Sequence, residues 1–455
     1  MRKHIRNLTI IAVILAIGVA FWLTRPDKAQ VPMDQMVGRD PVLGEPRPQT
    51  VPTVNIAEVA RWGADQKPTA AQGLQVERYA VDLDHPRNLY TLPNGDILVA
   101  ETNSPPRENG GIEGWVMKHL LGKAGAATPS ANRITLLRDS DGDGGVDLRS
   151  TFLKGLNSPF GMALVGDRFF VADTDALLEF PYAQGDTQIS AKGRKIYALN
   201  VKAPNNHWTR NLAVSPDETK LYIAVGSNSN IGENGMDTEK GRAMVIQYDL
   251  ATGKAIPYAI GLRNPVGLAF HPGTDQLWTT VNERDMLGSD LVPDYLALVD
   301  FGSDYGWPYH YWGGYTDPRL DDPAPDKRQY ERRPDYSLGV HVAPLGLLFA
   351  GQAKLGSPFG NGAFVARHGS WNRVPAAGYD VIFVPFQGNE PQGKPIEVLT
   401  GFLDAEGNAH GRPTMLAADK TGALLVSDDV GNVIWRVTPA DKPSAAAAGN
   451  TPAAR

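Results

Sequence analysis

The sequence predicts an all-β protein: a six-bladed β-propeller of four-stranded antiparallel blades, preceded by an N-terminal hydrophobic export or anchor helix. Three observations carry that expectation. The 455 residues include 48 Gly and 35 Pro spread along the chain, which break long helices and supply turns. A two-strand phrase recurs six times, each copy a Pro or Thr, two residues, an apolar strand, a Gly- or Asp-bearing turn and a second apolar strand. Further strand-like pieces follow the copies, such as MVIQYDLATG from Met244, YDVIFVPF from Tyr379 and NVIWRVTP from Asn432. Four strands repeated around an axis make propeller blades.

In chain order, residues 1–24 come first. Arg2, Lys3 and Arg6 precede an uncharged apolar run, Leu8 to Leu23. That pattern reads as a signal peptide or a membrane anchor, and the basic flank puts everything after residue 24 outside the cytoplasm. An exported, periplasmic location follows, either soluble after cleavage or held at the inner membrane by residues 8–24. Residues 25–72 carry seven prolines and read as a linker or a strap lying on the domain. The propeller is expected over 73–440, and 441–455 as a disordered tail. The six phrases begin at Pro86, Pro159, Thr209, Pro265, Pro344 and Pro413. GLQVERYAVDL, just ahead of Pro86, is expected to complete the last blade and close the ring.

Composition narrows the chemistry. With no Cys, disulfides, thiolate metal sites, a thiol nucleophile and covalently attached haem are excluded. A net charge of −6 argues against a nucleic-acid surface, and no GxGxxG opens a strand–helix unit. Small-molecule chemistry remains.

In a propeller the loops leading into the innermost strands meet at one mouth of the central channel. Those positions hold Asp84-His85, Asn157-Ser158, Asn206-His207-Trp208, Arg263-Asn264, His341 and Gly411-Arg412. With Arg373 they describe a polar, cationic bowl suited to a ligand bearing several carboxylates. A neutral His among them can take a proton from a substrate hydroxyl. Elsewhere, Asp139, Asp141 and Asp143 in DSDGDG suit either a surface Ca²⁺, with Asp147 assisting, or a tight hairpin turn. Position twelve of that loop is Ser150, which rejects an EF-hand. The aromatic run from Tyr305 to Tyr315 suits either sugar stacking or packing.

Several of these motifs coincide with a known family. His207, GLRNP (Gly261 to Pro265), NERDMLGSD (Asn282 to Asp290) and DYGWP (Asp304 to Pro308) resemble soluble pyrroloquinoline-quinone (PQQ) sugar dehydrogenases. PRNLYTLPNGDILVAETN and ARHGSWNR (Ala366 to Arg373) are similar to the L-sorbosone dehydrogenase branch. The resemblance covers about 75–438. It implies PQQ and Ca²⁺ as cofactors, a sugar or aldehyde substrate, and an external electron acceptor: a quinone, a cytochrome or a dye. It implies that His207 takes the hydroxyl proton while hydride passes to the quinone, and that Arg263 and Asn264 contact the quinone oxygens. Asn157, His341, Asn372, Arg373, Arg412 and Thr414 fall at or near cofactor-binding places, Thr414 standing where the family has a second Arg. The backbone carbonyls of Asp285 and Met286 and the carboxylate of Asp290 match the calcium ligands, with Asp285-Met286 replacing the family's Gly-Pro. Rival readings of the same fold are a calcium-dependent lactonase and a non-catalytic extracellular binding module.

Overall fold

The structure is a computed structural model that describes residues 26–106, 119–323 and 325–440, together with Asn7 and Gly18. The apolar run 8–24, apart from Gly18, and the tail 441–455 lie outside the described residues. Among the described residues no helix is long and apolar enough to cross a membrane.

Six four-stranded sheets surround one axis. Their innermost strands are Pro86–Thr91, Gly161–Val165, Arg210–Val214, Pro265–Phe270, Pro344–Phe349 and Pro413–Ala418, each lying in the first half of a recurring phrase. The second strands, from Ile97–Glu101 to Leu424–Asp428, are the phrase's other half. Proline suits the first position because it has no N–H to give to a ladder. In four blades the pairing slips just after that proline, between Pro86 and Asn88, Pro265 and Leu268, Pro344 and Gly346, and Pro413 and Leu416. These bulges bend the chain at the axis, so the two residues after the proline are part of the architecture.

The ring closes through strand Leu74–Ala80, which pairs antiparallel with Val433–Pro439 as the fourth strand of blade six. The expected closing segment therefore does close the propeller. Apolar side chains pack between neighbouring blades. Leu98, Ala100 and Phe152 of blade one meet Met162, Phe169 and Val171 of blade two, and Leu89 and Val99 meet Leu425 and Ile434 of blade six across the closure. At the axis Phe160, Trp208, Val266, Leu345 and Met415, from blades two to six, form a separate apolar plug.

Residues 26–72 wrap the outside. Val37–Gly38 adds to the edge of blade four against Leu338 and Ser337, and Thr69–Ala70 adds to blade five against Thr400 and Leu399. Both additions cover strand edges that would otherwise present unpaired backbone groups. Trp62 of this strap donates its indole N–H to Asp428 at 2.7 Å and packs edge-on against Trp435 at 5.2 Å.

Trp435 is fully buried in blade six and faces the closing strand. Trp435→Ala should lower the stability of the propeller by about 3–5 kcal/mol, read as a shift in the urea midpoint. An unchanged midpoint would show that closure does not depend on this side chain.

Candidate active site at the mouth of the channel

The loops that enter the inner strands lie at one end of the ring, and buried carboxylates hold them there. Glu101 accepts the N–H of Asp84, Asp173 that of Asn157 at 2.8 Å, and Asp428 that of Arg412 at 2.8 Å. Asp294 accepts both Glu283 and Ala343 at 2.7 and 2.9 Å. Rigid loops of this kind are what a binding site needs.

His207 is half-buried on this rim. Its Nδ1 lies 2.9 Å from both the carbonyl and the hydroxyl oxygen of Ser227. The carbonyl can only accept, and the Ser227 hydroxyl already donates to the carbonyl of Ser229 at 2.6 Å. Nδ1 therefore carries the hydrogen, and Nε2 holds the lone pair. Arg242 fixes the arrangement by donating to the carbonyls of both His207 and Ser227. Asn264 sits beside it. A side chain at Gly226 would place Cβ 2.3 Å from Asn264 Oδ1 and 2.6 Å from His207 Cβ, so only glycine allows the two to approach.

Buried polar atoms without a hydrogen-bond partner among the described residues include Asn264 Oδ1, Asn372 Oδ1, Arg87 Nε and Arg412 Nε. Arg412 rests 5.1 Å over the ring of Tyr379 and Arg87 5.8 Å over Trp208. Above an apolar plug that includes Trp208, the unspent guanidinium N–H groups suit a flat molecule carrying carboxylates and carbonyls, and the amide oxygens suit its N–H or a substrate hydroxyl. The residues present thus fit PQQ.

Other expected contacts are already used within the protein. Arg263 gives its five N–H groups to Asn230, Asn282, Glu283 and Asp285. It braces the rim, with none left to polarise a quinone oxygen. His341 has Nε2 3.0 Å from the Gly288 carbonyl and Nδ1 3.7 Å from Asp285, and burial holds its pKa below the ordinary value. It is a buried brace. Arg373 supports the same loop through Ser289 and Pro375. Asn372 gives Nδ2 to Asp285 at 2.9 Å. Asn157 is exposed and spends its side-chain amide on Asp175, and Thr414 is fully buried, stitching blade six to Arg87 and Ser427. Neither reaches the rim cluster.

Each expected calcium ligand carries hydrogen bonds within the protein. The Asp285 carbonyl accepts from Asn230 and Arg319 at 3.2 and 2.8 Å, and the Met286 carbonyl accepts Gln49 N–H at 3.0 Å. The Asp290 carboxylate turns to the strap, where it accepts Arg47 and the N–H of Gln30, each at 2.8 Å. In DSDGDG the acids that come together are Asp139, Asp141 and Asp147, whereas Asp143 accepts Gly145 N–H in the turn. Turn chemistry accounts for that segment. In the aromatic run Tyr305, Trp307, Tyr311 and Trp312 are buried, which is packing; Tyr315 alone is 54% exposed.

One cluster escaped the sequence. Asp429, 1% exposed, lies 3.0 Å from His368 Nε2 and 3.4 Å from His85 Nε2 and accepts from Arg87. Burial would raise its pKa, but the facing His368, His85 and Arg87 outweigh that and hold it well below the carboxylate range. Burial pushes His85 down to about 4 against the pull of Asp429. The signal was the doubled acid in SDD, where the other phrases end in a single Glu or Asp, in Val or in Arg.

Fold and site together define a six-bladed propeller with a cationic, imidazole-bearing mouth. Residues 68–293 and 319–440 match the TrAA12-like family, and the chain belongs to it. The PQQ-dependent pyranose dehydrogenase of Coprinopsis cinerea is 25% identical over 365 residues, a match that spans 70% of this chain and 44% of that enzyme. Among solved structures, the holo form of the PQQ domain of the Coprinopsis cinerea pyranose dehydrogenase has TM-score 0.65 at 20% identity, covering 84% of this chain and 100% of that one. The calcium structure of the Trichoderma reesei family AA12 protein has TM-score 0.65 at 19% identity, covering 85% and 99%.

Because folding lowers the pKa of His85, the unfolded chain binds its proton first. The stability it allows is complete above about pH 6.5 and is lost as pH falls towards 4. Urea unfolding of wild type and His85→Gln should show their stability difference narrowing across that window. A gap that stays constant would mean that His85 does not titrate there.

Proposed function

We propose that this chain is a PQQ-dependent oxidoreductase that oxidises a sugar or sugar aldehyde, passing the electrons to an external acceptor. The observation that carries the reading is the rim itself: a half-buried His oriented by Ser227 through Nδ1–H, together with buried, unspent polar atoms of Asn264, Asn372, Arg87 and Arg412. The likeness to PQQ enzymes of the same fold supports it.

PQQ, when bound, supplies a two-electron acceptor for substrate hydride. Arg412 holds anionic groups by charge and through its unspent Nε–H, and the Oδ1 atoms of Asn264 and Asn372 accept hydrogen bonds from a substrate hydroxyl or a ligand N–H. His207 accepts the substrate hydroxyl proton at Nε2 while Ser227 stabilises the imidazolium through Nδ1–H. Arg263, held by five bonds, keeps Asp285 and Asn372 in place. No step is assigned to calcium, since its expected ligands are already bonded.

The full chain supplied with PQQ should oxidise aldoses or ketoaldehydes such as L-sorbosone with a dye as acceptor. His207→Asn should lower kcat by about 10²–10⁴-fold while retaining the bound-quinone absorption. Inactivity across a sugar panel together with lactone hydrolysis would overturn the assignment, and undiminished turnover in the variant would remove the proposed base.

A further inference from the structure

The strap meets the rest of the molecule at the same loop that builds the rim. Asp27 accepts the N–H of Ser289 at 2.6 Å and Arg47 at 2.8 Å, and its own N–H donates to Thr53 at 2.9 Å. Two residues on, Ala29 N–H donates to the carbonyl of Val374 at 2.8 Å. A side chain on Gly44 would put Cβ 2.5 Å from Asp290 Cβ, so the strap lies flush on this loop. Ser289 is four residues from Asp285, which pairs with Arg263 and Asn372 at the rim.

The sequence makes that docking point consequential. The uncharged run Leu8 to Leu23 ends four residues before Asp27. Four extended steps reach at most about 14 Å. A bilayer that held the run would therefore lie within that distance of a residue fixed beside the mouth. Orientation is then restricted to one face of the propeller.

That face is suited to the contact. From Pro48 to Ala57 the strap carries no charge (PQTVPTVNIA). Val51 and Val54 there are 42% and 38% exposed, and Trp371 is 38% exposed. They are neighbours, because Asn55 N–H donates to the Trp371 carbonyl at 2.8 Å and Asn55 Nδ2 to that of Arg373 at 2.7 Å. Lys28 is exposed on the same strap, where its ammonium can reach lipid headgroups. Tryptophan, with an apolar body and a polar N–H, favours the bilayer interface. Such a patch is too small to hold a protein on a membrane alone. A short tether raises its effective concentration enough for a weak contact to be occupied.

We propose that the face bearing Val51, Val54 and Trp371 seats on a lipid bilayer, so that the mouth of the propeller opens beside the membrane surface. The inference stands on the strap and the N-terminal sequence and does not require the proposed activity.

Tryptophan quenching tests it. The full chain is incorporated into phosphatidylcholine vesicles brominated on the acyl chains near the carbonyls. Trp22, inside the apolar run, reports insertion. Trp22→Phe protein should float with the vesicles and still lose part of its emission to the brominated lipid. Adding Trp371→Phe should abolish that residual quenching, with the far-UV spectrum and flotation unchanged. Three results would each overturn the proposal: a chain that does not float, a floating Trp22→Phe protein without quenching, or quenching that persists in the double variant.

Discussion

Six loops must converge on one axis, and each brings backbone N–H groups into a region where water is scarce. Leaving such groups unpaired would cost about 1–3 kcal/mol apiece. The chain answers with a buried acid at the end of a strand next to the entering loop: Glu101, Asp173 and Asp428 from second strands, Asp294 from a third. Burial opposes charge on these groups, and pushes Asp428 up to about 6 and Asp173 to about 7. The accepted N–H bonds pull the other way. Blade three replaces the acid by Arg242, which donates to two loop carbonyls. The rim is rigid because these bonds are made, and the side chains on it inherit that rigidity.

Charge at the rim divides into two kinds. Arg263 with Asp285, and Arg87 with Asp429, are internally compensated, as buried charges must be. Arg412 is only weakly engaged, with Nη2 3.5 Å from the Ala57 carbonyl and the Tyr379 ring below. A ligand with negative groups would complete that second kind without breaking the first. His207 is tied through Nδ1 to the carbonyl and hydroxyl oxygens of Ser227.

The ring was legible because its cause is local. Proline, bulge, strand, turn and strand recur within some fifteen to twenty residues, and even the closing strand lies directly ahead of the first copy. His207 and Asn264 were legible for the same reason, since both immediately precede an inner strand. Donor occupancy was not. Nothing in GLRNP reveals that Arg263 will spend every N–H on loops 19 to 33 residues away. The partners of the expected calcium ligands were hidden in the same way. NERDMLGSD shows oxygen-bearing residues at a plausible spacing, but the donors to Asp290 arrive from Arg47 and Gln30, 243 and 260 residues distant in the chain. Asp429 was missed because its partners come from two other blades, His85 and Arg87 from blade one and His368 from blade five, and no short pattern joins them.

The apolar plug settles which end of the channel can serve the chemistry. Phe160 and Trp208 meet edge to face at 6.1 Å, with Val266, Leu345 and Met415 completing the layer. Beneath it Asn88 and Asn211 touch at 3.3 Å, and each donates to a neighbouring blade, Asn88 to the Phe160 carbonyl and Asn211 to that of Val266. The opposite end opens into a cavity of about 570 Å³ lined by Tyr90, Ala213, Phe270 and Leu348, with none of the rim's imidazole or guanidinium groups. The plug and the amide staples separate that space from His207. A ligand must therefore enter from the rim side, where the strap, the charged loops and the half-buried imidazole share one face.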